Sequence, residues 1–214
     1  MKTQYVKIEE INERLQEIGE AIIKGKNVVF PTETVYGIGA NAFDEEACKK
    51  IFEIKGRPSQ KPLIVLISDK NMLENIACHI GEIEKKLMEA FWPGPLTIIL
   101  AKKAECKVPE LVTAGKNEVS VRMTSGKIGK MLIEEAGVPI VAPSANLSGS
   151  PTGTKIQNII HELGNKVDYM IDDGDFSNEV PSTLVKVQDD IIYVLRQGKI
   201  SKQELEKIAE VKIV

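Results

Sequence analysis

The spacing of apolar residues predicts that helices and strands alternate along this chain. A first helix is indicated by apolar residues that recur every three or four positions: Ile8, Ile11, Leu15, Ile18 and Ile22. Gly25 stands where a left-handed residue would end that helix. Residues 63–67 read Leu-Ile-Val-Leu-Ile, and this run without alternation is typical of a strand that is buried on both faces.

The rest of the chain follows the same two patterns. Strands are predicted over 28–30, 63–67, 96–100, 119–123, 140–142, 167–171, 183–187 and 191–195. Further helices are predicted over 44–56, in two short segments after Asp69 and Gly81, over 127–136, over 154–164 from a Thr154/Gln157 capping box, and from Ser201 onward. Near the C-terminus the strands become consecutive, which a purely parallel sheet does not explain. We therefore expect an α/β (α+β) fold with a mixed sheet and flanking helices, in one domain over residues 1–214 with its core at about 15–200.

Residues 28–41 join a buried strand to a dense group of polar side chains. The apolar run 28–30 ends at Pro31, which has no amide hydrogen for a strand ladder. Four polar side chains follow closely: Thr32, Glu33, Thr34 and Tyr36. Gly37 and Gly39 permit close backbone approach or positive φ. The stretch is either one wall of a ligand cavity or a polar turn, and both interpretations stay open at this point.

Composition and charge exclude several classes of protein. The 214 residues are 43% hydrophobic and 28% charged, as in ordinary globular domains. No apolar run is long enough to span a membrane, and the first residues lack the apolar core of a secretory leader. Three cysteines without a CxxC pair favour neither a zinc site nor a disulfide framework, so we expect a cytoplasmic protein.

The net charge of −3 argues against general polyanion binding, but the basic residues are clustered. Residues 49–61 carry five basic side chains and one acidic side chain, and residues 102–130 carry seven and three. Basic segments beside glycine-containing turns suit a compact anion such as a nucleotide. Solvated helix faces explain many of these lysines equally well.

Signatures of covalent, metallohydrolytic and P-loop catalysis are missing. The chain has no HExxH, GxSxG, GxxxxGK[ST] or GxGxxG segment. Polar groups instead gather where predicted elements end: Thr32, Thr34, Lys55, Arg57, Arg122, Ser144, Asn146, Thr152, Ser182 and Arg196. Ligands of open α/β sheets bind at strand ends, and guanidinium groups grip phosphates or carboxylates. The set suits reaction at a phosphate, where a protein mainly positions reactants and neutralises charge.

Several of these segments resemble motifs of the YrdC family. They are PTETVYGIG (31–39), KGRP with KPL (55–58 and 61–63), WPGPLT (92–97), APSANLSG (142–149), PST (181–183) and LRQG (195–198). The motifs keep the family's order and cover residues 19–198. The paired signature KxR and SxN is intact as Lys55/Arg57 and Ser144/Asn146.

The resemblance implies a twisted mixed sheet around a large open cavity and threonylcarbamoyl-AMP synthase activity, a nucleotidyltransferase reaction. L-threonine, bicarbonate or CO2, and ATP with Mg2+ would give threonylcarbamoyl-AMP and pyrophosphate, for modification of the adenosine next to the anticodon in ANN-decoding tRNAs. A tRNA threonylcarbamoyl transferase would take the product onward, with weak RNA binding as a further expectation. Lys55 and Arg57 would be catalytic, and their replacement by alanine would abolish turnover with little change in melting temperature.

The resemblance also implies residues for both the ATP and the threonine parts of the site; no residue is assigned to the metal, and the Mg2+ ligands stay open. ATP would be held by Arg57, Lys61, Ser144, Asn146, Thr152 and Arg196. Threonine would be held by Thr34, Arg122, Ala142 and Ser182.

Two local departures from the family pattern concern the threonine pocket. Residues 123–125 read Met-Thr-Ser after Arg122, where many relatives have a proline and then a histidine two positions later. Leu66 stands where some relatives carry a histidine. The chain also stops soon after Arg196, as expected of a single-domain member or of a piece of a two-domain relative.

Three alternatives differ in testable features. A non-catalytic RNA- or nucleotide-binding module would show a basic excess with exposed aromatic residues, but the charge is −3 and aromatic residues are 5%. A YciO-like member would lack the complete KxR/SxN signature. A carbamoyl-transfer maturation factor would carry CxxC repeats, which are absent.

Overall fold

The computed structural model describes residues 2–151, 154–176 and 180–214. Within these ranges the strands are β1 (Gln4–Lys7), β2 (Val28–Pro31), β3 (Tyr36–Asn41), β4 (Ile64–Ile67), β5 (Ala77–Cys78), β6 (Leu96–Lys102), β7 (Glu118–Met123), β8 (Ile140–Val141), β9 (Tyr169–Asp172), β10 (Thr183–Gln188) and β11 (Ile191–Arg196). The helices are α1 (Ile11–Ile23), α2 (Glu45–Lys55), α3 (Lys70–Glu74), α4 (Glu82–Phe91), α5 (Glu110–Thr113), α6 (Lys127–Ala136), α7 (Ile156–Leu163) and α8 (Lys202–Ala209). A short 3-10 helix, Ile8–Glu10, precedes α1.

The strands form one mixed sheet in the order β1-β9-β2-β3-β8-β4-β7-β6-β10-β11, with β5 paired to β6. The β1–β9, β2–β9, β4–β7 and β6–β10 pairs are parallel, and the other pairs are antiparallel. The prediction of a twisted mixed sheet with flanking helices is confirmed.

Helices cover both faces of the sheet, and consecutive residues of the central strands enter different cores. In β4, Val65 and Ile67 belong to one apolar cluster, which also contains residues of α2, α4, α7 and α8. Leu66, between them, belongs to the other cluster, with α1 and α6. Burial on both faces explains why this strand shows no alternation in the sequence.

Several predicted helix ends are confirmed in detail. The side chain of Asp44 accepts a hydrogen bond from the amide of Ala47 at 3.0 Å, and Gly56 ends α2 at φ 57°. The capping box of Ser201 and Glu204 opens α8. The prediction of a Thr154/Gln157 capping box is wrong, because the N-cap of α7 is Lys155. The first amide of this helix, that of Ile156, instead donates to the carboxylate of Asp175 at 2.9 Å.

Residues 28–41 form a β-hairpin, whose second strand the sequence does not predict. β2 and β3 are antiparallel, with Val28 opposite Gly39 and Pro31 opposite Tyr36. A Cβ at Gly39 would lie 2.7 Å from the Phe30 ring and 2.8 Å from Ile140. Glycine therefore lets the hairpin pack closely against its neighbours in the sheet.

No helix in the described ranges combines the length and the apolar character that a membrane span requires.

Candidate active site

A cavity of about 280 Å³ opens where the β2–β3 turn, β7, β11 and the segment after β8 meet. Its lining contains the residues Thr32, Thr34, Val35, Gly37, Arg57, Pro62, Ile64, Arg122, Ala142, Pro143, Ser144, Pro181, Ser182 and Arg196. Seven of the residues predicted to bind ligands are among them: Thr34, Arg57, Arg122, Ala142, Ser144, Ser182 and Arg196.

The β2–β3 turn is organised by the hydroxyl of Thr32. This group donates to the carbonyl oxygen of Val35 at 2.6 Å and accepts from the amides of Thr34 and Val35, each at 3.2 Å. The hydroxyls of Thr32 and Thr34 are 3.0 Å apart and share a hydrogen bond. The turn thus presents two ordered hydroxyl groups to the cavity.

The segment after β8 is fixed against β3 and β4 by backbone hydrogen bonds. The amide of Ala142 donates to Ile64, the amide of Ala145 donates to Tyr36, and the amide of Ile38 donates to Pro143, at 2.8–2.9 Å. This pairing places Ser144 opposite Gly37 at the wall of the cavity.

Lys55 lies beneath this segment and is only 3% exposed. Its ammonium donates to the carbonyl oxygens of Ser144 and Asn146, both at 2.5 Å. Burial, together with the like charge of Arg57, lowers the pKa of Lys55 to about 8. In this position the ammonium orders the loop and does not line the cavity.

The side chain of Asn146 forms hydrogen bonds within its own loop. Its amide donates to the carbonyl oxygens of Leu147 at 3.0 Å and Ser150 at 2.7 Å, and its side-chain oxygen accepts from the Ser144 hydroxyl at 2.6 Å. Asn146 therefore sets the orientation of the hydroxyl of Ser144, a residue of the cavity lining.

Arg57 leaves the C-terminus of α2 and reaches the cavity. Its guanidinium donates to the carbonyl oxygens of Lys61 at 3.1 Å and Pro62 at 2.8 Å. Burial lowers the pKa of Arg57. The side chain of Lys61 is exposed beside this loop and does not belong to the lining.

Arg122 is 4% exposed and enters the cavity from β7. Its Nη1 donates to the hydroxyl of Thr34 at 3.2 Å, and its Nε lies 3.4 Å from Oε1 of Glu33. Burial lowers the pKa of Arg122, and the charge of Glu33 opposes this effect. The carboxylate therefore helps to keep the guanidinium charged.

Arg196 and Ser182 form the opposite wall. Nε and Nη2 of Arg196 donate to the Ser182 carbonyl oxygen at 3.1 and 3.0 Å, and Nη2 donates to the Ser182 hydroxyl at 2.9 Å. That hydroxyl also lies 2.8 Å from the hydroxyl of Thr97. A Cβ at Gly198 would lie 2.3 Å from the carbonyl oxygen of Pro181, so the backbones here approach as only glycine allows.

Three guanidinium groups thus surround one small cavity. The pKa of Arg196 is lowered by burial and by the positive charges of Arg122 and Arg57. The positive charges of Arg122 and Arg57 thus oppose the charge of Arg196, and an anion between them would relieve that repulsion. The arrangement suits an anionic ligand.

The remaining predicted residues lie elsewhere. Lys55, Lys61 and Asn146 are outside the lining, and Thr152 lies outside the described residues. Tyr36 is fully buried, and its hydroxyl donates to the carbonyl oxygen of Gly174 at 2.9 Å, so the interpretation that it lines this cavity is wrong. Burial raises the pKa of Tyr36 to about 12.

Sequence reasoning missed the role of Glu33, which contacts Arg122 from behind the cavity wall. The available signal was its position between Thr32 and Thr34, whose side chains both line the cavity. Of the departures from the family pattern, Thr124 donates to Oε2 of Glu33 at 2.6 Å, and Leu66 is fully buried in the core that contains α1 and α6.

Comparisons with known proteins identify the family. The Sua5/YciO/YrdC family model, described as "Telomere recombination", matches residues 20–198. A Bacillus subtilis threonylcarbamoyl-AMP synthase is 46% identical over 189 residues, which are 88% of this chain and 54% of that protein. A threonylcarbamoyl-AMP synthase of Pyrococcus abyssi is 43% identical over 209 residues, which are 95% of this chain and 61% of that protein.

A solved structure agrees with these sequence matches. The crystal structure of P. abyssi Sua5 complexed with L-threonine has a TM-score of 0.91 and 40% identity, over 100% of this chain and 63% of that one. The chain therefore spans less than two thirds of the length of these relatives. With its motifs, fold and family-model match in agreement, the chain belongs to the Sua5/YciO/YrdC family.

Proposed function

We propose that this chain is a threonylcarbamoyl-AMP synthase, which joins L-threonine, bicarbonate or CO2, and ATP and releases pyrophosphate. The observation that carries the proposal is the convergence of Arg57, Arg122 and Arg196 with cavity hydroxyls from separate parts of the chain. The names of the B. subtilis and P. abyssi relatives support the same activity.

The reaction needs positive charge and positioning. The amine of threonine takes up CO2 and loses a proton to give a carbamate. A carbamate oxygen then attacks the α-phosphorus of ATP, and the bond to the pyrophosphate oxygen breaks. Both partners of this step are anions, so fixed guanidinium groups lower its barrier by screening their repulsion.

In this proposal, threonine lies beside Arg122. Nη2 of Arg122 makes no hydrogen bond to the described residues, which leaves it available to a carboxylate. The hydroxyls of Thr34 and Ser182 and the backbone of Ala142 border the same space. The L-threonine bound to P. abyssi Sua5 supports this substrate.

ATP lies on the side of Arg57, Ser144 and Arg196 in this proposal. Lys61 contributes from the exposed loop that follows Arg57, while Lys55 and Asn146 act on the nucleotide through the loop that they order. We propose that Mg2+ arrives with ATP, held by phosphate oxygens, because the side chains that line the cavity are guanidinium, hydroxyl and apolar groups.

The product would serve tRNA modification. We propose that threonylcarbamoyl-AMP passes to a tRNA threonylcarbamoyl transferase, which modifies the adenosine next to the anticodon in ANN-decoding tRNAs, and that this chain binds RNA weakly. The three cysteines are free thiols in the structure, as suits a reducing cytoplasm.

The decisive experiment incubates the purified chain with ATP, Mg2+, bicarbonate and a single amino acid, and measures pyrophosphate. We expect release only with L-threonine. Equal release with L-serine or without an amino acid would contradict the proposed specificity. No release under any of these conditions would contradict the activity.

A further inference from the structure

Glu33 lies between two residues that line the cavity but does not itself line it. Its side chain extends toward residues 124–126, where Oε2 accepts from the Thr124 hydroxyl at 2.6 Å and from the Gly126 amide at 3.2 Å. A Cβ at Gly126 would lie 2.8 Å from the backbone nitrogen of Glu33, so the two segments are in close contact. The carboxylate is therefore held in one position.

The backbone of Glu33 is held as well. Its carbonyl oxygen accepts a hydrogen bond from the ammonium of Lys199, in the segment after β11. Contacts from two distant parts of the chain thus converge on one residue of the β2–β3 turn.

The second oxygen of the carboxylate faces Arg122. Oε1 of Glu33 lies 3.4 Å from Nε of Arg122, and the two side chains are 13% and 5% exposed. These two atoms are the buried side-chain polar atoms without a hydrogen bond among the described residues. The close pair of opposite charges occupies the Nε side of the guanidinium and directs the Nη atoms away from Glu33.

The other end of Arg122 points to the cavity. Nη1 donates to the Thr34 hydroxyl, and Nη2 has no hydrogen bond within the described residues. A guanidinium binds a carboxylate with two parallel hydrogen bonds along one of its edges. Because Glu33 occupies the Nε side, the edge that remains for a ligand is the terminal Nη1/Nη2 edge.

We propose that Glu33 is a positioning residue, which fixes Arg122 so that its terminal edge binds the carboxylate of the amino-acid substrate. This inference rests on the proposed function for the identity of the ligand. Glu33 acts through Arg122 and does not touch the substrate.

The test compares Glu33→Gln with the wild-type chain. Glutamine keeps the size of the side chain and an oxygen for Thr124 and Gly126, but it removes the charge that faces Arg122. We expect the KM for L-threonine to rise about tenfold, while the KM for ATP stays close to wild type. The melting temperature should fall, because the buried Arg122 loses its opposite charge. Thr124→Val, which removes one of the two hydrogen bonds to Oε2, should raise the same KM by a smaller factor. Glu89→Gln, on the exposed face of α4, is the matched control.

A second measurement does not depend on turnover. The Nε–H resonance of Arg122, assigned by its loss in Arg122→Lys, should be sharp and slow to exchange in wild type, and broadened or shifted in Glu33→Gln. Unchanged threonine KM, or an unchanged resonance, would overturn the positioning role. If the wild-type chain shows no threonine-dependent turnover, the proposed function fails, and the resonance alone decides whether Glu33 fixes Arg122.

Discussion

The Lys55 ammonium and the Ser144 carbonyl oxygen are 2.5 Å apart, although 89 positions separate the two residues. This contact divides the KxR/SxN signature into two layers. Arg57 and Ser144 line the cavity, while Lys55 and Asn146 lie beneath the wall and order it. Two residues of one signature therefore hold the wall in place, while the other two are the ones available to the proposed ligand.

Lys55→Met should destabilise the protein as well as inactivate it. The substitution leaves the buried carbonyl oxygens of Ser144 and Asn146 without their donor, and each such loss costs about 1–3 kcal/mol. Because burial lowers the pKa of Lys55, relief of its buried charge offsets part of this loss at pH 7. We expect the free energy of unfolding in urea at pH 7 to fall by about 1–3 kcal/mol, and threonine-dependent pyrophosphate release to be lost. This revises the sequence-based expectation of an unchanged melting temperature.

Lys49→Met is the matched control, because Lys49 is exposed on the same helix. Its unfolding free energy should stay within about 0.5 kcal/mol of wild type. A Lys55→Met protein as stable as wild type would show that the two carbonyl oxygens find other partners and that Lys55 does not order the loop.

The stability contributed by Lys55 should rise with pH above about 8. The folded protein lowers the pKa of this ammonium to about 8 from the ordinary value of 10.5, so between these values the unfolded chain binds more protons than the folded one. Unfolding then becomes less favourable as pH rises, and the effect is complete above the unfolded pKa.

Urea titrations of wild type and Lys55→Met between pH 7 and 10.5 measure this effect, because the other lysines titrate in both proteins. The difference in unfolding free energy should be flat below pH 8 and should grow in favour of wild type above it. A difference that shrinks with rising pH would mean that the two carbonyl hydrogen bonds raise the pKa of Lys55 instead.

Arg57→Ala should abolish turnover and leave the fold intact. Arg57 bonds only to carbonyl oxygens of its own loop, at Lys61 and Pro62, so its loss disturbs little packing. Removing one preorganised donor to a developing charge typically costs a factor of about 100–1,000 in kcat. The rate of pyrophosphate release should therefore fall by at least that factor, while the melting temperature should change little.

Arg14→Ala, which removes an exposed pair with Glu17, serves as the control for loss of an arginine. It should retain full turnover. Wild-type turnover in Arg57→Ala would contradict the placement of Arg57 in the proposed ATP site.

Most helices are predicted from the sequence because their end signals are local, as Asp44 and Gly56 at the two ends of α2 illustrate, but the short helix α5 is not predicted. The β3 strand was missed, since its sequence, YGIGAN, has two glycines that disfavour a strand on propensity. Packing of Gly39 against Phe30 and Ile140 decides the conformation of β3. These contacts come from other strands, so the sequence pattern of residues 36–41 does not reveal them. The edge strand β1 was missed because only Val6 of its four residues is buried.

The sequence indicates which residues lie near the cavity better than it indicates how each of them is oriented. The clustering of polar residues at the ends of predicted elements points to Arg57, Arg122 and Arg196, and the fold brings these three side chains to one cavity. Sequence did not reveal which side of the wall each residue occupies, because the pairing of Gly37 with Ser144 sets that direction through long-range contacts. For that reason Lys55 and Asn146 were assigned to the ligand, and Glu33 was assigned no role.

Gly198→Ala should damage both the fold and the site, because the added Cβ has no space. It would lie 2.3 Å from the Pro181 carbonyl oxygen and 2.4 Å from the carbonyl carbon of Ser182. The backbone must move, and this would displace Ser182 together with the Arg196 guanidinium that hydrogen-bonds to it. We expect the unfolding free energy to fall by about 1–3 kcal/mol, and pyrophosphate release at subsaturating ATP to fall at least tenfold.

Gly37→Ala is the control for stability, since its Cβ would meet no atom nearer than 3.5 Å. Its unfolding free energy should stay within about 0.5 kcal/mol of wild type. If Gly198→Ala were as stable and as active as wild type, the close approach of residues 181–183 to residue 198 would not be needed to hold Arg196 at the cavity. The wall formed by Ser182 and Arg196 would then tolerate a shift that its three hydrogen bonds argue against.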